Sequence, residues 1–326
     1  MFDQEFGFLK DMQAYLHDNS DNAEEFISRL DNSGWEIFFG GDDTIVFFFK
    51  GLMQNHPFLF EKYFNIIEKM LDNENKVIKC FEAFFKYYPR VSRFIYERGY
   101  ITNEQLHNEF IKTHNFNSHV FFLKEERTSF MFDTESLSGI KEMNWISQLE
   151  KDNYALYHDH LVYGFEKGSI QYILKYDEDK DLLNSVSSPN FNVHQSIENN
   201  VFEWSFQDNE SKMLEFASFF GSIKCFRILI SLGASISDIT FQQAVVGGNL
   251  DIINQIKLQI NPDSDIIYWA ARSGNSLVIE WAKEFCKDIL NVSRSLQTGN
   301  LSFFLHSLTM GGNINDEYKI ALYVMK

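Results

Sequence analysis

Apolar and small residues recur at fixed distances from four glycines in the C-terminal part of the chain. Successive glycines are 27, 26 and 25 residues apart, and each is followed by Ser or Asn. Apolar or small residues stand seven, four and three residues before each glycine, a spacing that lines one face of a helix. A second such set follows four, five and eight residues after it. The four glycines are Gly221, Gly248, Gly274 and Gly299.

Each unit is therefore predicted to be a helix, a tight turn and a second helix. The glycine gives the backbone freedom that the turn requires, and the small residues allow the two helices to approach closely. One such hairpin cannot bury both of its faces, so neighbouring units are expected to stack into a solenoid with a continuous core. A polar residue directly after a turn glycine, such as Asn275, is expected to face water.

A fifth unit is predicted upstream, with its turn at Gly168-Ser169. Leu161 and Phe165 precede this turn and Ile173 follows it, but the glycine lies 53 residues before Gly221. The gap could hide a degenerate repeat, although the loop-forming residues 187–192 favour an insertion. Residues 1–150 contain amphipathic helical segments without a 26-residue register. The chain is thus divided into an N-terminal helical region, 1–150, and a repeat region, 151–326.

The segment LEFASFFGSIKCFRILISLGAS, residues 214–235, resembles an ankyrin repeat. It departs from the common pattern because no TPLH tetrapeptide begins the first helix and because the period is about 26 residues, which leaves no room for the β-hairpin finger. With its Phe- and Asn-rich N-terminal half, the chain is similar to a family of divergent ankyrin proteins of trichomonad protists, defined by a domain of unknown function. The likeness is clearest over 210–316. It implies an all-α helical solenoid and a role as an interaction scaffold, and it implies no substrate.

The composition favours a folded helical protein with an aromatic core. The chain has 34 Phe but only 4 Pro among its 326 residues, which disfavours a loop-rich sandwich. Phe-rich clusters occur at 47–49, 84–85 and 121–122. Because each aromatic side chain buries a large area, these clusters are predicted to lie in the core, with a hydrophobic docking patch as the alternative.

Charge and cysteine content exclude several classes of partner. Acidic residues outnumber basic ones by 46 to 29, and the net charge of −17 repels nucleic acid and anionic lipid. The longest apolar stretch, residues 45–49, is too short to cross a membrane. The first residues lack a basic, then apolar, signal pattern, and Cys80, Cys225 and Cys286 are too sparse for a disulfide framework. A cytoplasmic location is expected.

The sequence offers no catalytic motif. His158, Asp159 and His160 could be metal ligands, but residues two apart do not share a helix face, so a solvated helix start is the preferred interpretation. The signatures GxSxG, GxxxxGK[ST], GxGxxG and HExxH are absent. We therefore predict no catalytic residue, no metal, no cofactor and no enzymatic activity.

The predicted function is protein–protein interaction through the stacked helices. Positions five and two residues before each glycine should point to the open face of the first helices. The candidate partner-binding residues are Phe216, Phe219, Gln243, Val246, Trp269, Arg272, Arg294 and Gln297. The aromatic residues of this set could instead pack against the N-terminal half. Two other functions stay open: an enzyme with its site in the N-terminal half and the repeats as a substrate-recruiting arm, and a structural protein that self-associates.

Overall fold

The chain is mostly helical in a computed structural model. The model describes residues 64, 68, 81, 82, 84, 85, 89–112, 116–125, 146–203, 210–257, 259, 260, 265–285, 294, 295, 298 and 300. The helices are α1 (Pro89–Glu97), α2 (Asn103–Lys112), α3 (Phe116–Phe121), α4 (Lys151–Tyr163), α5 (Ile170–Lys175), α6 (Asp179–Val186), α7 (Met213–Phe219), α8 (Ile223–Ser231), α9 (Asp238–Gly247), α10 (Leu250–Ile256), α11 (Ile266–Ser273) and α12 (Ser276–Lys283). In this part of the chain, β structure is confined to two short strands, β1 (Ser196–Glu198) and β2 (Glu210–Lys212).

A cluster of phenylalanines forms the core of the N-terminal helices. Phe85 contacts Phe110 of α2 and Phe122, with ring centroids 5.2 and 5.5 Å apart, and all three side chains are buried. Phe84 and Phe121 are buried as well. The prediction that the Phe clusters at 84–85 and 121–122 are core is therefore confirmed. The cluster at 47–49 lies outside the described residues.

Three of the four predicted glycine turns are confirmed. Gly221 lies between α7 and α8, Gly248 between α9 and α10, and Gly274 between α11 and α12. All three have a left-handed backbone, with φ of 70°, 73° and 65°, a conformation that costs other residues about 1–2 kcal/mol. Gly299 lies outside the described residues. The periodic glycines are thus required by the turn geometry.

The helix before each turn, the first helix of a pair, packs against the first helix of the next pair. α7 packs against α9 and α9 against α11, while the second helices α8 and α10 also touch. The predicted core positions around Gly221, Gly248 and Gly274 are all buried except Ile279, which is half-buried. Apolar burial along this row is the main stabilising contribution to the repeat region.

Asparagine side chains join successive pairs, contrary to the expectation that they face water. Asn249 donates a hydrogen bond from Nδ2 to the Gly221 carbonyl, 3.0 Å away, and Asn275 donates one to the Gly248 carbonyl, 2.9 Å away. The Oδ1 atom of each also accepts from the first backbone N–H groups of its own second helix. Each Asn therefore caps one helix and bonds to the preceding pair, two roles that Ser could fill only in part.

One close approach between first helices also requires glycine. A Cβ placed on Gly247, the last residue of α9, would lie 2.2 Å from the carbonyl oxygen of Phe219 in α7. No side chain fits there unless the two helices move apart. The second glycine of the Gly247-Gly248 pair provides the turn, and the first provides the contact.

The fifth unit exists, but its predicted turn is wrong. α5 packs against the first helix α7, and α6 packs against the second helix α8, so the turn of this pair lies at Asp177. Asp177 has the left-handed φ, 56°, that the turn glycines have. Its carboxylate also accepts from the backbone N–H of Cys225 at the start of α8, 2.9 Å away. Gly168 instead precedes the pair, because Asp177 can adopt the left-handed backbone in its place.

An insertion separates this pair from α7. It contains the antiparallel strands β1 and β2, with Ser196 opposite Lys212 and Glu198 opposite Glu210. Phe202, in the connection between the strands, contacts Phe121, Tyr157 and His160, with ring centroids 5.0, 6.0 and 5.2 Å away. The insertion therefore links the N-terminal helices to α4, whose backbone becomes regular after the left-handed residues 152–154.

Candidate interaction surface

Three of the predicted partner-binding residues are buried. Phe216, Phe219 and Val246 are 1%, 5% and 9% exposed. The ring of Phe216 lies 5.7 Å from that of Phe165, because α5 and the residues before it cover this part of α7. The prediction that these three side chains lie on the open face is therefore wrong, and they belong to the core.

Four predicted residues keep partial exposure. Gln243, Trp269, Arg272 and Arg294 are half-buried, and Gln297 lies outside the described residues. These four lie on or beside α9 and α11, away from the part of the row that α5 covers. The open face of the first helices is thus restricted to the later pairs.

The structure gathers aromatic rings and guanidinium groups on α11. Arg272 lies over the ring of Trp269, 5.6 Å from its centroid, and the rings of Trp269 and Tyr268 meet edge to face at 4.9 Å. Arg294 lies 4.9 Å from the centroid of Tyr268 and pairs with Asp265 at 2.9 Å. We call these five residues, Asp265, Tyr268, Trp269, Arg272 and Arg294, the α11 ladder.

The ladder orients its side chains by stacking. A cation over a partly exposed ring contributes about 0.5–1 kcal/mol, and an exposed ion pair contributes less than about 1 kcal/mol. Within the described part of the chain, the indole Nε1 of Trp269 is buried and meets no hydrogen-bond acceptor. The position of the indole is therefore set by its ring contacts, with Arg272 on one side and Tyr268 on the other.

Sequence reasoning found Trp269, Arg272 and Arg294 but missed Tyr268 and Asp265. The spacing between Trp269 and Arg272 is three residues, which places both on one helix face. Tyr268 and Asp265 have no such signal, because their roles depend on the position of Arg294 in the next unit. Only the packing of α11 against residue 294 brings them together.

A buried ion pair lies where the insertion meets α5. Glu203 is 2% exposed and accepts a hydrogen bond from Nζ of Lys175, 2.5 Å away, and the same Nζ donates to the Tyr163 carbonyl at 2.8 Å. Burial lowers the pKa of Lys175, and the charge of Glu203 opposes that shift. Burial lowers the pKa of Arg90 in the same way, again opposed by Glu203. One carboxylate thus stabilises two buried cations, which makes it part of the fold's interior.

The chemical groups singled out in the sequence do not assemble into a reactive site within the described residues. His160 is buried, with Nδ1 3.3 Å from the Gly164 carbonyl, while Asp159 accepts from the Lys167 backbone N–H at 3.2 Å. No three His, Cys, Asp or Glu side chains in this part of the chain are close enough to hold a metal ion. Burial raises the pKa of the Cys225 thiol, and the carboxylate of Asp177 raises it further. Cys225 therefore remains a thiol that packs in the core.

Comparison of the chain with protein-family models, with curated proteins and with solved structures finds no match in any of the three. Among the described helices, none combines the length and the apolar character that crossing a bilayer needs. The functional argument therefore depends on the surface itself.

Proposed function

We propose that the chain is a non-enzymatic protein-interaction scaffold built as a divergent ankyrin-type solenoid, and that it binds its partner through the α11 ladder. The single observation that carries this proposal is the stacked arrangement of Arg272, Trp269, Tyr268 and Arg294 at a half-buried surface. Trp, Tyr and Arg are the residue types that dominate interface hot spots.

The supporting framework is rigid. The ladder is carried by α11, whose opposite face contributes the buried Ile267, Ala270 and Ala271 to the core. A surface held by packed helices loses little conformational entropy when it binds, so more of the contact free energy appears as affinity. The cytoplasm is the proposed location, consistent with the buried free thiol of Cys225.

Affinity capture from the source cell, followed by identification of the bound proteins, tests the proposal. The bait is the full chain, compared with Arg272→Glu and Arg294→Glu variants. We expect both reversals to weaken capture at least about tenfold, because guanidinium groups at interface centres carry a large share of the binding energy. Since both residues are part of the ladder, thermal unfolding of each variant is measured alongside.

The matched control is Lys283→Glu, a charge reversal at a side chain that is 51% exposed on α12. It should capture the same proteins as the wild type. If the control loses capture as fully as the ladder variants, net charge decides binding and the ladder has no special role. If the ladder variants capture normally while folded, the binding surface lies elsewhere.

A further inference from the structure

α12 presents an apolar row that the preceding pairs lack. Leu277, Trp281 and Phe285 are spaced four residues apart, so they follow one edge of the helix. Leu277 is 65% exposed and Phe285 49% exposed, and the rings of Trp281 and Phe285 are in contact at 5.2 Å. We call these three residues the α12 row.

The repeat register shows that this edge is not a stacking surface. Lys224, Ile228 and Leu232 occupy the equivalent positions on α8, and Asp251, Gln255 and Gln259 occupy them on α10. In all three helices the pattern of exposure is the same, with two exposed residues around a half-buried one. α8 packs against α6 on one side and α10 on the other, yet Lys224 and Leu232 remain exposed. A following pair in the same register would therefore leave the α12 row uncovered.

The replacement of polar residues by apolar ones at this edge is specific to α12. α10 has Asp251, Gln255 and Gln259 where α12 has Leu277, Trp281 and Phe285. The row extends over eight residues, about 12 Å or two helical turns. Exposed apolar side chains that form a continuous row, and are not scattered singly, indicate a binding surface.

The charges beside the row determine which occupant fits. Glu280 and Glu284 each precede an aromatic residue of the row and form a parallel carboxylate edge, with the Glu280 side chain 69% exposed. The whole chain has a net charge of −17, so two copies repel each other, and an anionic lipid surface is repelled as well. A basic helix meets the opposite conditions, because its cations lie against the carboxylates when its apolar face covers the row.

We propose that the α12 row binds an amphipathic helix of another protein, one with an apolar face flanked by Lys or Arg. This surface is separate from the α11 ladder, and the inference does not rest on the proposed function of the ladder. Three anchor side chains over two turns correspond to a small interface, so the complex is a transient one.

The test uses the full chain and a synthetic helical peptide of about 15 residues with Leu at i, i+3, i+4 and i+7 and Lys elsewhere. A second peptide has Glu in place of every Lys. Binding is followed by fluorescence anisotropy of the labelled peptide at about 150 mM salt, where long-range charge effects are screened. We expect the Lys peptide to bind and the Glu peptide not to bind.

Variants locate the binding site. Leu277→Gln combined with Phe285→Gln should weaken binding of the Lys peptide at least about tenfold, because both anchors lose their apolar contact. The matched control combines Leu232→Gln with Ile239→Gln, two apolar side chains that are 39% and 50% exposed away from the row. It should bind within about twofold of the wild type, as should Arg272→Glu.

Several results overturn the inference. Equal binding by the row variant and its control would mean that net charge alone attracts the peptide. If both peptides bind equally, or neither binds, the occupant is not a basic helix. If light scattering shows wild-type association that the row variant abolishes, the occupant is a second copy. If the row variant unfolds at a clearly lower temperature than its control while the Lys peptide fails to bind the wild type, the row is covered by the same chain.

Discussion

The regular helix pairs and the junction at the insertion are held together in different ways. In α7–α12 the same few contacts recur: a left-handed glycine, an Asn that bonds to the preceding pair, and small residues between first helices. At the junction, Glu203 and Phe202 each make contacts that occur once. In the repeats, stability is close to a sum of similar neighbour contacts, whereas the junction depends on one buried polar group that must stay paired.

The largest effect is expected inside the regular pairs. Ala270→Asp places a carboxylate at a fully buried position of α11, without a cation beside it. The free energy of unfolding, measured by chemical denaturation, should fall by about 3–5 kcal/mol. Ser276→Asp, an exposed change in the first turn of α12, is the control and should be neutral or slightly stabilising. Similar losses for both variants would show that the first helices do not pack through Ala270.

The junction should respond almost as strongly when its carboxylate is removed. Glu203→Ala leaves the ammonium of Lys175 buried without its partner, which should cost about 3 kcal/mol. Adding Lys175→Met should recover most of that loss, because the unpaired charge is removed too. For comparison, Glu280→Ala, which breaks an exposed pair with Lys283, should cost less than about 1 kcal/mol. A double variant as unstable as Glu203→Ala alone would mean that the ion pair is not what stabilises the junction.

The asparagine contacts between pairs should each contribute a moderate amount. Asn275→Asp keeps the oxygen that caps α12 but loses the donor to the Gly248 carbonyl, so we expect a loss of about 1 kcal/mol. Asn275→Ala loses both bonds and should cost about 2 kcal/mol. Denaturation midpoints of the two variants separate capping from the contact between pairs. An Asp variant as stable as the wild type would remove the latter from the account.

The smallest expected effect is a pH dependence at the junction. Burial lowers the pKa of His160, and the hydrogen bond to Gly164 with the charges of Glu166 and Asp159 opposes this shift. The unfolded state therefore binds the proton more readily, and stability falls as the pH drops below the unfolded pKa of 6.5. Between pH 7 and about 5.5, His160→Gln should lose less stability than the wild type, by less than about 1 kcal/mol. Parallel pH profiles would assign the dependence to other groups.

The sequence predicted the repeated contacts and missed those that occur once. The spacing around Gly221, Gly248 and Gly274 identified the helices, the turns and nearly every core position, because a period makes each position evident several times. The turn at Asp177 was missed because Asp replaces the glycine there. The burial of Phe216 was missed for a related reason: α5 covers it, and the insertion removes α5 from the register. Glu203 pairs with Lys175 across 28 residues of chain, a distance for which the pattern gives no signal.

The insertion between α6 and α7 has a consequence for the order in which the chain folds. The pairs from α7 to α12 are joined by short connections, so their contacts are local in sequence and can form early. The α5–α6 pair must close a loop of 26 residues, 187–212, before it reaches α7 and α8. Loop closure grows only slowly in free energy, by about 0.6 kcal/mol for each doubling of length, yet it precedes the contacts that reward it. We therefore expect α7–α12 to act as the nucleus and the α5–α6 pair to be the first part of the row to open again.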